Sequence, residues 1–475
     1  MALEQVRVRG IPPERLEVLI GAERTAAFVT AAADARTMLE GRVVWNLNST
    51  ATGGGVAELL QTLLAYARGA GIDARWAVIN GDPRFFQITK RIHNRLYGQR
   101  GDGGPLGAAE RRDYERTTAR NADDLAALVR PGDIVVLHDP QTAGLVAEAR
   151  RRGAVVVWRC HVGLDATNSH SAEGWAFLRP YVEHVDAWVF SCARFAPEWV
   201  PSERLTVVAP SIDPFSAKNE PIETADVVRT LRTAGLLASN GPAPDSEFTR
   251  RDGTKGRVHR AVDPVGTGPA PPADVPIVLQ ASRWDALKDM PGVMLGFADH
   301  LPDMGDAHLI LAGPEAIGVA DDPEAAMVLA ECRALWGKLP ARAQERIRLA
   351  CVPMADPDEA AAIVNALQRQ ATVIVQKSFA EGFGLTVAEA MWKRRPVVGS
   401  AVGGIMDQIV SGETGWLLRN PADLDEYAYA VGGLLADRAE ASRMGERGYD
   451  RARSYFLADR HLEQWGELLA RAAGG

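Results

Sequence analysis

With 475 residues, of which 47% are apolar and 24% charged, the chain is long enough for two domains or more, each burying a core of its own. A formal net charge of −8 implies no basic face for phosphate backbones, which argues against a general nucleic-acid binder. The four cysteines are scattered without a CxxC pair, no run of 18 apolar residues exists, and the first ten residues lack the apolar core of a signal peptide. Neither a disulfide framework, a zinc site nor a membrane span is therefore expected, and an intracellular, cytoplasmic protein with reduced thiols is the simplest reading.

Residues 1–40 are amphipathic and partly helical and carry no legible chemistry; a covering segment is expected. Residues 43–48 read as a buried strand, followed by STATGGG and a helix whose Val56, Leu59, Leu60, Leu63 and Leu64 share one face. The triple glycine Gly53, Gly54, Gly55 fits neither a Walker loop nor GxGxxG, so a dinucleotide cofactor is disfavoured. It leaves room for a ligand to touch backbone N–H groups, or it is only a tight turn. Strand and helix signals then alternate through ARWAVI, DIVVLHDP and AVVVWRCH, as in a mostly parallel sheet covered on both faces. Ligands bind beyond the carboxyl ends of such strands, where His138, Asp139, Arg159 and His161 fall. Each histidine is also compatible with a merely structural role.

Residues 205–219 provide a last strand and a link into a second domain. Residues 237–274 are rich in Gly, Pro and charge with no apolar period, and read as an extended or mobile surface insertion. PIVLQASRWDALKDM restores strand character and ends with Arg283 and Lys288, two cations that either neutralise a diphosphate or are simply solvated. Two DxD matches, at Asp356 and Asp423, precede helical runs and read as N-caps, so no essential metal ion is expected.

The stretch SFAEGFGLTVAEAMW, residues 378–392, joins a strand to a helix through a glycine loop. Gly382 and Gly384 let backbone approach a ligand, and the helix start favours an anion such as a diphosphate. Glu381 and Glu389 flank that position, and a carboxylate there accepts hydrogen bonds from vicinal hydroxyls or merely complements the helix dipole. KRRPVVGSAVGGIMDQIVSGETGWLL adds a strand, a second glycine turn and a short helix.

Taken with NSTATGGGVAELL, INGDPRFFQITKRIHN, HDPQTAGL, WRCH and APSIDPFSAKN, these residues resemble the retaining GT-B glycosyltransferases of family 4, and within them the trehalose-forming synthases. The resemblance implies an α/β chain of two Rossmann-like domains facing each other across a cleft. Residues 1–215 would form the acceptor-side domain, 216–455 the nucleotide-sugar domain, and 456–475 a helix docking across both. It implies transfer of glucose, with retention, from NDP-glucose to free glucose, with trehalose phosphorylase or another acceptor as alternatives. His161, Arg283, Lys288 and Glu381 would carry catalysis. The backbone of Gly382, Phe383, Gly384, Leu385 and Thr386, with Arg283, Lys288 and the Gly53–Gly55 turn, would hold the diphosphate. Glu389 would bind the ribose diol and Glu381 the donor glucose, while His138 and Asp139 face the acceptor. No tightly bound cofactor is implied. ADP-, UDP- or GDP-glucose is the co-substrate, and the partners are NDP-glucose, glucose and trehalose, with room for a homodimer and with no nucleic acid. One departure stands out: the family commonly has glycine directly after the lysine, where this chain has Asp289.

Overall fold

A computed structural model describes residues 3–52, 54–239, 241, 245–250, 253–316 and 323–474. The chain divides into two compact units, one comprising the residues up to Ile212 together with those from Tyr455 onward, the other Asp213–Ser454.

The first unit is built on a seven-stranded sheet of β1 (Glu4–Val6), β2 (Val44–Asn48), β3 (Ala74–Val78), β4 (Ile134–His138), β5 (Val155–Cys160), β6 (Ala187–Phe190) and β7 (Leu205–Val207). Their order is β1-β3-β2-β4-β5-β6-β7, with only β1 antiparallel to its neighbour. Strands β2, β4 and β6 are buried along their whole length, which is why they read as mostly apolar runs rather than alternating ones, with Asn46, Asn48 and His138 as the polar exceptions. Helix Gly55–Gly69 buries Leu59, Leu60, Leu63 and Leu64 as its spacing predicts. The N-terminal residues contribute the edge strand β1 and the helix Ala22–Met38, and the last helix, Ala458–Gly474, packs on that helix.

The second unit holds a parallel sheet of β10 (Ile277–Ala281), β11 (His308–Pro314), β12 (Ile347–Val352), β13 (Val373–Gln376), β14 (Val397–Ser400) and β15 (Trp416–Leu418) in the order β12-β11-β10-β13-β14-β15. This is the doubly wound order, in which the chain runs outward one way from β10 and then crosses to β13 on its other side. Each sheet thus has a point where neighbouring strands send their following loops in opposite directions: β2 and β4 in the first unit, β10 and β13 in the second. Ligands of such sheets bind at that point.

Within the stretch 237–274, read from sequence as an extended or mobile surface insertion, two short strands form. A hairpin of β8 (Ser246–Thr249) and β9 (Lys255–Val258) packs on helix Pro357–Gln370 with Phe248 and Val258 buried. Glu359, itself buried, accepts the main-chain N–H groups of His259 and Arg260 at 2.8 and 2.9 Å. Further on, Gly268 O accepts from Arg348 Nη1 at 2.8 Å. The strands are only four residues long with two apolar anchors between them, too few to register as a period.

Candidate functional site

In the second unit, the loops after β10 and β13 bring together residues 93 positions apart. Lys288 Nζ lies 2.5 Å from Glu381 Oε2, and the two side chains are 13% and 12% exposed, so the charges meet largely out of water. Gln376 Nε2 and Ser378 Oγ stand 3.4 Å from the same oxygen. Lys288 has two further N–H donors and Glu381 a second oxygen, so the pair retains capacity for a ligand carrying both anionic oxygens and hydroxyls. Arg283 is half-exposed, with Nη2 3.0 Å from Asp285 Oδ2.

The departure at Asp289 resolves into a substitute for glycine. Its backbone is left-handed (φ 48°, ψ 46°), a conformation that glycine adopts freely and aspartate tolerates better than most residues. The side chain adds what glycine lacks: it caps helix Met290–Asp299 through Gly292 N at 3.0 Å and pairs with the buried Lys377. Burial pushes the Asp289 carboxyl up while Lys377 pulls it down.

Gly384 is also left-handed, with φ 83°, and opens helix Leu385–Trp392. Gly404 crosses this loop closely enough for its N–H to donate to Gly382 O at 3.2 Å, and Gln408 Nε2 donates to Phe383 O and Gly384 O. A Cβ on Gly404 would stand 2.6 Å from Phe383 Cα and 2.9 Å from Gly382 O, which are backbone atoms. Gly404→Ala is therefore expected to push the loop outward and cost about 1–3 kcal/mol of stability. Urea unfolding checks this, and an unchanged midpoint contradicts it.

Glu389 is buried, with Oε1 3.4 Å from Lys218 Nζ. One turn on, the buried Lys393 donates to Asn219 Oδ1 at 2.7 Å and to Glu389 O at 3.2 Å. Burial drives the Lys393 ammonium well below its ordinary value, and Glu389 partly opposes this. Lys218 was missed by sequence reasoning because 171 residues separate it from Glu389, although it lies in the APSIDPFSAKN segment.

In the first unit, β4 and β5 are neighbours in register, with His138 opposite Arg159. His138 Nδ1 lies 3.1 Å from His161 Nε2, and the rings stack with 5.4 Å between centroids. The other nitrogen of His138 meets Asn46 Oδ1 at 3.1 Å. Asn46, unnoticed in the sequence, is a polar residue inside the apolar run of β2, and that was its signal. Asp139 also has a left-handed backbone, with φ 62°, and its Oδ1 accepts the His161 main-chain N–H at 2.7 Å. Arg159 is fully buried: Nη2 donates to Val208 O at 3.0 Å, Nε approaches His161 Nε2 at 3.2 Å, and Nη1 has no hydrogen-bond partner among the described residues. Gly54 is left-handed with φ 83° ahead of helix Gly55–Gly69, whereas Gly53 lies outside the described residues.

Burial, then Arg159, holds the His138 imidazole down to about 3 and His161 well below its usual range. Burial pushes the Asp139 carboxyl up to about 7 against the His161 N–H and Arg159, and brings the Arg159 guanidinium down to about 9. Below pH 6.5 the unfolded chain binds protons that the folded histidines refuse, so their contribution to stability is lost as pH falls toward 3. Asp139 acts in the opposite sense: its folded form keeps a proton between about 4 and 7, so its contribution is lost as pH rises through 7. With His138, His161 and the buried His461 held well down and His308 also lowered, against raised carboxyls at Asp139, Asp289 and Glu463, the urea midpoint is expected to fall from pH 7 to pH 5. A midpoint that rises over that interval contradicts this balance.

Asp356 and Asp423 are helix N-caps, accepting from Glu359 N at 3.3 Å and Glu426 N at 2.9 Å. Among the described residues, no cluster of three metal-ligating side chains occurs, and no helix is long and apolar enough to cross a membrane.

Two family models match the chain: "Trehalose synthase, N-terminal domain" over residues 46–197 and "Glycosyl transferases group 1" over residues 357–451. The trehalose synthase of Thermococcus litoralis is 34% identical over 426 residues, 89% of each chain. A trehalose phosphorylase of Pleurotus pulmonarius is 25% identical across 84% of this chain and 53% of its own length. Among solved structures, the E. coli trehalose-6-phosphate enzyme bound with UDP-2-fluoro glucose has a TM-score of 0.64 at 14% identity, covering 89% of this chain and 97% of its own. Such neighbours give the fold as GT-B.

Proposed function

From the premise that the chain belongs to the trehalose synthase family of glycosyltransferases, and is a hexosyltransferase, we propose that it joins the glucose of a nucleoside diphosphate glucose to free glucose, reversibly and with retention, giving trehalose. The observation that carries this reading is identity to trehalose synthases spread over nine-tenths of the chain, through both units, rather than over a donor-binding domain alone.

In this reading the second unit holds the donor. Lys288 and Arg283 offset the charge that develops on the diphosphate as the C1–O bond breaks, and the amides of Gly382, Phe383, Gly384, Leu385 and Thr386 line the same group. Glu381 turns its second oxygen to glucose hydroxyls, and Glu389 accepts from the ribose diol. In the first unit, His161 lies near the reacting sugar, and His138 and Asp139 orient the acceptor, while the Gly53 to Gly55 stretch helps hold the donor diphosphate. The acceptor hydroxyl forms its bond to C1 on the face the diphosphate leaves, and its proton passes to the departing phosphate oxygen. The residues chiefly position both sugars and stabilise developing charge. The reading needs no tightly bound cofactor and includes a cytoplasmic location.

Incubation with ADP-, UDP- or GDP-glucose and free glucose is the test. Equal yields of trehalose and nucleoside diphosphate are expected from at least one donor. Nucleoside diphosphate release without any disaccharide would instead favour a different acceptor.

A further inference from the structure

At the amino end of the second sheet, away from the loops that carry Lys288 and Glu381, lies a cavity of about 280 Å³. Its walls include Val275, Thr372 and Pro396, which precede β10, β13 and β14. Three of its side chains are arginines: Arg394 and Arg395 from the turn after helix Leu385–Trp392, and Arg438 from the first residue of helix Arg438–Tyr455.

Packing forces these cations together. Gly445 lies against the turn so closely that a Cβ there would come within 2.2 Å of Arg394 O, and Arg394 adopts a left-handed φ of 57°. Arg394 spends its Nε on Glu446 at 2.8 Å and lies over the Tyr449 ring at 3.6 Å. Arg395 has a buried Nε without a hydrogen-bond partner among the described residues, and burial and the nearby Arg438 both push its guanidinium down. Burial, then Arg395 and Arg394, also lower the neighbouring Arg369. Arg438 stands at a helix N-terminus, where a cation opposes the macrodipole. Clustered guanidiniums at a helix start suit an oxyanion, above all a phosphate that accepts several N–H groups at once.

The rest of the lining differs in kind. Asp274, Gln370, Thr372 and Ser442 bring a carboxylate, an amide and two hydroxyls. Gln370 donates to Ala273 O at 2.9 Å, which leaves its carbonyl oxygen as an acceptor. A carboxylate beside three arginines would oppose a bare polyanion, but it accepts hydrogen bonds from the hydroxyls of a ligand whose phosphate lies on the arginines.

We propose that this cavity binds a phosphate monoester of a small polyhydroxylated molecule, a sugar phosphate, with phosphate on Arg394, Arg395 and Arg438 and hydroxyls toward Asp274, Thr372 and Ser442. The site is separate from the donor loops and does not depend on the function proposed above.

Titration calorimetry on the full chain, with glucose 6-phosphate, inorganic phosphate and glucose as probes, tests it. Glucose 6-phosphate is expected to bind at least about tenfold more tightly than either fragment. Arg438→Glu, an exposed charge reversal that spares the core, is expected to weaken it by about tenfold or more, about 1.4 kcal/mol. Arg395→Gln is expected to do the same, with circular dichroism to establish folding. Absence of binding, equal affinity for inorganic phosphate, or affinity unchanged in Arg438→Glu overturns the proposal.

Discussion

Replacing Lys288 with alanine is expected to lower kcat/KM about a thousandfold, about 4 kcal/mol of transition-state stabilisation. Two effects contribute. The ammonium would be lost where negative charge develops on the leaving diphosphate, and Glu381 would be left with an uncompensated charge in a site that is mostly out of water. A double-mutant cycle separates them. Changing Glu381 to glutamine removes the stranded charge, so the double variant should regain most of the stability lost by Lys288→Ala, as read by urea unfolding. It should not regain activity if, as proposed, the cation and the carboxylate each address a different part of the donor. Recovery of kcat/KM to within tenfold of the parent would reduce the pair to a structural contact and remove Lys288 from the mechanism.

Asp139 gives the second large expectation, this time on stability. Asp139→Ala is expected to cost about 2–4 kcal/mol, because the His161 N–H loses its acceptor and alanine is strained at φ 62°. Asp139→Asn keeps an acceptor oxygen and a residue that tolerates the left-handed region, so its cost should stay below about 1 kcal/mol. The asparagine variant then isolates the charge. If the carboxylate faces the acceptor, the glucose KM rises about tenfold in Asp139→Asn with little change in unfolding midpoint. A parent-like glucose KM in that variant would assign Asp139 to the architecture of the β4–β5 turn alone.

Much of the fold was legible because the strands of both sheets are short, β-branched runs interrupted by helical spacing, and because glycines mark several turns. Lys288 and Glu381 were each singled out, yet nothing in their spacing joined them. Their meeting depends on β13 crossing to the far side of β10, a matter of strand order that local sequence does not encode. The same limit hid Lys218 beside Glu389 and Asn46 beside His138, both tertiary contacts made across many residues. Asp289 is a different case. Its identity looked like a defect in the glycine pattern, and only the left-handed backbone with its two side-chain contacts explains why aspartate serves there. The hairpin at 246–258 escaped notice because its apolar content is Phe248 and Val258, and its stability comes from the helix beneath it.

Cleavage run in reverse addresses the proposed chemistry most directly: purified protein is given trehalose with either a nucleoside diphosphate or inorganic phosphate, and the sugar product is identified by mass spectrometry. Formation of a nucleoside diphosphate glucose together with free glucose, dependent on the nucleotide, is the predicted result. Glucose 1-phosphate formed with phosphate alone, and no product with any nucleoside diphosphate, would contradict it.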